Sequence, residues 1–314
     1  MLATALPVAG PGPGPATIPP ARLRVLGDAW IDEIRAVCPD PAARDSDLCA
    51  NGDPVEVAFL WPAGDMRLTC DPAPGDPAAA RLDAALRLTR AELSAAQHEE
   101  LRRLLEGAAG GRWGAWVGSR LRAGRIRRKL YVEIAEGTPW HNWWPLAWLS
   151  GPAAATRLPD PVMAGFDGSS DGVEVYCRTP PLHPVTLAAL LAQLGLPAAT
   201  GALTGELARI TGRAVRSALP GRDQGISLAF GPDRRIRALT WYSHADMLFG
   251  PADRAREAWL RAGAEAGWPM AGYAALSAPG PGGVPWHGLA GLVLGADGVV
   301  SASVTCAPRP WRTA

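Results

Sequence analysis

The chain has 314 residues, 48% of them hydrophobic, and a formal net charge of +1. It can therefore bury one large core or two small ones, but it lacks the broad basic face that binding a phosphate backbone demands. No apolar run reaches the roughly 18 residues that would cross a bilayer, and the five scattered cysteines (Cys38, Cys49, Cys70, Cys177, Cys306), with no CxxC pair, indicate neither a disulfide framework nor a zinc site. The expectation is a cytoplasmic monomer that binds neither nucleic acid nor membrane.

Residues 1–20 are rich in Pro, Gly and Ala and carry no charge, which predicts a disordered tail ahead of a single domain over 21–314. The first period-2 runs are Val55–Trp61 and Met66–Asp71, joined by the turn residues Pro62-Ala63-Gly64-Asp65. Helices are predicted over Pro77–Leu93 and Ser94–Leu105, the second with a Ser N-cap. A second pair, Trp113–Leu121 and Arg125–Ile134, precedes a Trp-rich stretch to Leu149 that is expected to be helical. A single strand, Gly172–Arg178, is followed by helices over Pro184–Leu194 and Thr204–Thr211. A third pair, Gly225–Phe230 and Arg235–His244, precedes a helix over 251–266. Gly288–Leu294 and Val299–Cys306 form the last pair, turned by Gly295-Ala296-Asp297-Gly298. Hairpins separated by helices are not the pattern of a parallel α/β sheet.

The faces of these strands carry the chemistry. In Arg125–Ile134, Ile126, Leu130, Val132 and Ile134 share one parity, broken only by Arg128, while Arg125, Arg127, Lys129, Tyr131 and Glu133 share the other. Lys129 is the only lysine among 31 Lys and Arg residues, and an ammonium is a compact charge that a planar guanidinium does not replace everywhere. Glu56 lies opposite in parity to Val55, Val57, Phe59 and Trp61. Arg67 opposes Met66, Leu68 and Cys70, and Glu174, Tyr176 and Arg178 oppose Val173, Val175 and Cys177. Thr240, Tyr242 and His244 oppose Leu239 and Trp241, and Ser301, Ser303 and Thr305 oppose Val300, Ala302 and Val304. An antiparallel barrel with helices outside and a polar, solvated lumen satisfies both faces of every strand; an open sheet with one wet face is the alternative. In the lumen Arg67, Arg127 and Lys129 would converge with Tyr131, Tyr176 and Tyr242. Converging cations repel unless an anion is present, and diphosphate is a natural one. Aromatic faces beside it would stabilise a carbocation, and Glu56 or Glu174 could accept a proton. Together these are the requirements of prenyl transfer.

The hairpin-and-helix-pair repeat, the basic strand ending Lys129-x-Tyr131 and the strands VEVYCR (173–178) and RALTWYSH (237–244) resemble the ABBA aromatic prenyltransferases. Gly52-Asp53-Pro54-Val55-Glu56 is similar to the Gly-Asp-x-x-Glu pattern of the cyanobactin-type members, which modify peptide side chains. The resemblance implies an α+β fold, a ten-stranded antiparallel barrel of repeated ββαα units ringed by helices. It implies a prenyl diphosphate, dimethylallyl or geranyl, as donor and a peptide side chain or small aromatic metabolite as acceptor. It makes Glu56 the proton acceptor and Arg67, Arg127, Lys129, Tyr131, Tyr176 and Tyr242 the donor site. Glu174, Arg178, Thr240 and His244 fall to the acceptor side. Mg2+ could accompany the donor, although no protein ligand motif for it is present. Glu174 and the Ser301-Ser303-Thr305 face depart from the resemblance, the first from a neutral or basic residue, the second from a common Lys or Tyr. The alternative function is a barrel that binds an aromatic ligand or peptide without using a prenyl diphosphate.

Overall fold

The structure, a computed structural model, describes residues 17–18, 23, 26–106, 111–122, 125–136, 138, 161–221, 223–280, 283–308 and 312–313. The first strand, β1 (Thr17–Ile18), falls in the stretch expected as a tail, whose other residues lie outside the described set, and pairs with Arg312–Thr313 near the far end of the chain. Ten further strands close into one antiparallel barrel. They are β2 (Val55–Trp61), β3 (Asp65–Cys70), β4 (Ala115–Arg122), β5 (Arg125–Glu133), β6 (Pro161–Asp167), β7 (Gly172–Thr179), β8 (Gln224–Phe230), β9 (Ile236–His244), β10 (His287–Gly295) and β11 (Val300–Cys306). Neighbours in sequence are neighbours in the ring, and β11 returns to pair with β2. No strand edge is left open, so every alternate side chain is directed either into the lumen or under a helix.

The helices on the outside are α1 (Asp28–Val37), α2 (Ala78–Thr89), α3 (Ala95–Leu105), α4 (Pro184–Gln193), α5 (Thr200–Thr211), α6 (Ala245–Phe249), α7 (Ala252–Ala266) and α8 (Ala271–Leu276). The apolar parity of each strand packs beneath them. Trp61, Trp241, Trp259, Tyr273 and Phe166 are fully buried there. Trp61 stacks on Trp268 at 5.4 Å and on Trp259 at 5.3 Å, so several of the tryptophans serve the outer core rather than the lumen wall. Ser94 caps α3 in a reciprocal capping box with Gln97. The Gln97 amide then donates to the carbonyls of Asp167 and Gly172 at 3.1 and 3.0 Å, which fastens α3 to the β6–β7 hairpin.

Besides β1, four elements go beyond the predicted ones: α1, β6, α6 and α8. The signal for α1 is Trp30, Ile31, Ile34 and Val37 at helical spacing. Pro161 opens β6, a position where its missing N–H is tolerated, and Gly165 interrupts the apolar run. The expected helix through the Trp-rich stretch to Leu149 lies outside the described residues.

Arg128, the residue that breaks the apolar parity of β5, is explained by α1. Its guanidinium forms two hydrogen bonds to the Glu33 carboxylate at 2.8 and 2.9 Å and one to the Leu88 carbonyl at 3.1 Å. Glu33 also accepts from the Ser119 hydroxyl at 2.6 Å and is 5% exposed. A fork-on-carboxylate pair in this position ties α1 to the outside of the barrel. Removing one partner leaves the other charge buried, which costs about 3–5 kcal/mol. Glu33→Ala is therefore expected to lower the free energy of unfolding by an amount near the lower end of that range, because Arg128 keeps some exposure. Equilibrium unfolding in urea measures it.

Candidate active site

The lumen face of β5 meets its neighbours in a fixed register. Arg67 stands opposite Arg120 across β3 and β4, and Arg120 stands opposite Arg127 across β4 and β5. Directly opposed residues place their Cβ atoms about 5 Å apart, and like charges so placed repel. These three arginines, with Lys129, Tyr131, Asp167 and Ser169, line one cleft. The Arg67 Nε is buried without a hydrogen-bond partner, so the wall holds at least one donor poised for an acceptor. Asp167, opposite Lys129 in register, is the acidic counterweight on this wall. Burial raises its carboxyl, but hydrogen bonds from Ser169 and the charges of Lys129 and Arg120 bring it below the usual carboxylate range.

Deeper along the same face, Lys129 forms an ion pair with Glu174 of β7 and donates to the Tyr176 hydroxyl at 3.2 Å. Glu174 also accepts from the Ser227 hydroxyl on β8 and from Tyr176. Burial opposes both charges. The charge of each partner and these hydrogen bonds outweigh it, so the lysine lies above its ordinary range and the glutamate well below its own. Both are ionised at neutral pH. The glycines opposite provide the room: a Cβ at Gly165 would fall 2.5 Å from the Lys129 Cε, and one at Gly118 would fall 2.7 Å from the Tyr131 ring.

Three phenols form a continuous aromatic wall beside the ion pair. Tyr131 and Tyr176 meet edge to face at 5.9 Å, and Tyr176 and Tyr242 are 6.4 Å apart. The Lys129 ammonium lies 4.9 Å from the Tyr131 ring centroid and 5.4 Å from that of Tyr176, so this wall already faces a cation. Burial pushes the hydroxyls of Tyr176 and Tyr242 up, and both stay protonated. Glu56 lies on β2 apart from this cluster and accepts from the Thr305 hydroxyl at 2.5 Å. Burial raises its carboxyl to about 7, against the lowering effect of that hydrogen bond, which is the range suited to a general base.

The structure thus brings together Arg67, Arg127, Lys129, Tyr131, Glu174, Tyr176 and Tyr242. Glu174, expected on the acceptor side, is bound to Lys129. Arg178 is exposed at the end of β7, and Thr240 stands opposite Ser227 in register. Arg120, Asp167, Ser227 and Thr305 were not singled out as site residues. The parity Trp116-Gly118-Arg120 carries the signal for the first, whereas Asp167 lies on the strand that the sequence did not reveal. Among the described residues no group of three or more His, Cys, Asp or Glu could hold a metal ion.

The ion pair makes a stability prediction. Lys129→Met alone leaves Glu174 charged and unpaired in the lumen, at a cost of about 3–5 kcal/mol. Lys129→Met with Glu174→Gln is expected to recover most of that loss. A double-mutant cycle on urea midpoints measures the coupling.

No protein-family model and no curated protein matches the sequence. In three dimensions the chain is similar to 5-dimethylallyl tryptophan synthase from Streptomyces coelicolor, solved in complex with DMASPP and Trp, at TM-score 0.68 and 20% identity over 92% of this chain and 94% of that one. It is similar to 6-dimethylallyltryptophan synthase from Micromonospora olivasterospora, also solved with DMASPP and Trp, at TM-score 0.68 and 20% identity over 94% and 96%. AnaPT from Neosartorya fischeri matches at TM-score 0.59 and 15% identity over 89% and 87%. Identities this low carry the architecture alone: the chain has the closed ten-stranded barrel fold of the aromatic prenyltransferases.

Proposed function

We propose that this protein transfers a short prenyl group, dimethylallyl or geranyl, from its diphosphate to an electron-rich aromatic acceptor. The acceptor is an indole or phenol, either a small metabolite or a side chain of a peptide natural product. The observation that carries the reading is the row of opposed arginines, Arg67, Arg120 and Arg127, ending at a wall of three phenols. The solved neighbours named above, two of them holding DMASPP and Trp, support it.

In this reading the diphosphate lies in the cleft, where its oxygens accept from Arg67, Arg127 and the remaining N–H of Lys129. An anion there relieves the mutual repulsion of the row. The C–O bond to the prenyl group breaks, the electron pair leaves with diphosphate, and the allylic cation faces Tyr131, Tyr176 and Tyr242. Their ring faces stabilise it and exclude water that would trap it as an alcohol. The acceptor ring attacks the cation, forming the new C–C bond, and its displaced proton passes to the Glu56 carboxylate. The products are the prenylated acceptor, diphosphate and a proton.

One observation favours a second reading, a barrel repurposed to bind an aromatic ligand or peptide: Lys129 already has a counter-ion in Glu174. Incubation with dimethylallyl diphosphate and indole or phenol acceptors, free or within short peptides, separates the two. Prenylated product supports the transferase; an acceptor that binds but is never prenylated supports the second reading. Glu56 is protonated below about 7, so only above that pH is it the base. The kcat/KM is accordingly expected to rise with pH and level off above about 7. Glu56→Gln is expected to cut turnover by about 10²–10⁴-fold and to remove that limb of the profile while sparing donor binding.

A further inference from the structure

We infer that Glu174 is a resident counter-anion of the donor site, a side chain that competes with the diphosphate for Lys129 and so sets how tightly the site holds its anion. This rests on the cleft being the diphosphate site. Lys129 lines the cleft, yet its ammonium is paired with Glu174 and hydrogen-bonded to Tyr176. An ammonium has three N–H donors, and two of these are engaged inside the protein, leaving one for a ligand.

The arrangement around Glu174 is built to keep it ionised and in place. Ser227 and Tyr176 both donate to it, in addition to Lys129. Lys129 and Glu174 are only 15% and 16% exposed, so solvent screens their interaction weakly. A carboxylate held this way repels a diphosphate entering the same cleft, and its charge cancels the one lysine on the wall. Asp167 subtracts a second charge and is itself held by the Ser169 hydroxyl and backbone N–H at 2.6 and 2.8 Å. The three arginines and one lysine are thus opposed by two carboxylates. A wall made for the tightest diphosphate binding would have neither.

The consequence is a prediction whose sign separates Glu174 from an ordinary binding or structural residue. Loss of a residue that binds the donor, or that merely supports the fold, weakens binding. Neutralising a competitor strengthens it. Glutamine at this position keeps an oxygen to accept from Lys129, so the ammonium stays in place while the repelling charge goes.

Titration calorimetry with inorganic diphosphate on wild type, Glu174→Gln and the remote surface variant Glu265→Gln tests the inference. Glu174→Gln is expected to bind about tenfold or more tightly than wild type, with Glu265→Gln unchanged. In steady-state assays the donor KM is expected to fall without a rise in kcat. Where Glu174→Gln does not fold, Glu174→Thr, neutral and suited to a strand, takes its place. Unchanged or weaker diphosphate binding in the neutral variant overturns the inference, and if wild type still transfers the prenyl group, the transferase reading survives it. Failure of wild type and neutral variant alike to bind diphosphate overturns both.

Discussion

Closure of the sheet is the constraint on which everything else depends. In a ring of ten antiparallel strands no edge is available to solvent, and the period-2 geometry of each strand leaves its side chains two destinations. The outward set is apolar and is roofed by helices. The inward set is polar and has no protein layer opposite it to neutralise it, so its charges must be matched within the lumen or by a ligand. Arg128 shows the rule by its exception. It is a cation on the outward parity, and α1 brings a carboxylate to meet it.

Within the lumen, charge is paired one to one in one region and gathered with like sign in another. Around Lys129 the charge is balanced by Glu174, with Ser227 and Tyr176 completing the hydrogen bonds. Around Arg67, Arg120 and Arg127 like charges are brought face to face by the strand register, and a buried Arg67 Nε has no partner. The excess positive charge therefore lies at the cleft, next to the aromatic wall. A site that ionises an allylic diphosphate needs this polarity: donors for the leaving anion at one place and ring faces for the departing cation beside it. Glu56 adds a carboxylate of intermediate basicity on a separate strand.

Much of this was legible because it depends only on parity. Lys129 and Tyr131 on β5, Glu174 and Tyr176 on β7 and Tyr242 on β9 each stand opposite apolar neighbours, and a closed barrel sends all of them inward. What parity cannot tell is register. The pairing of Lys129 with Glu174 spans β6, whose opening Pro161 and internal Gly165 hid it from the pattern, and with it Asp167. Arg120 was recoverable from Trp116 and Gly118 on the same face, but its importance comes only from standing between Arg67 and Arg127. Likewise, Glu33 could not be linked to Arg128 from the sequence, because nothing local joins a helix near the start of the chain to the fifth strand.

The central claim is that the arginine row receives the diphosphate of a prenyl donor. Titration of dimethylallyl diphosphate into the wild-type protein and into an Arg67→Gln, Arg127→Gln variant of confirmed fold measures it directly. Saturable binding with one donor per chain, weakened by more than about tenfold in the variant as charge-assisted hydrogen bonds are lost, is the predicted result. No binding to wild type, or equal binding to both, would contradict it.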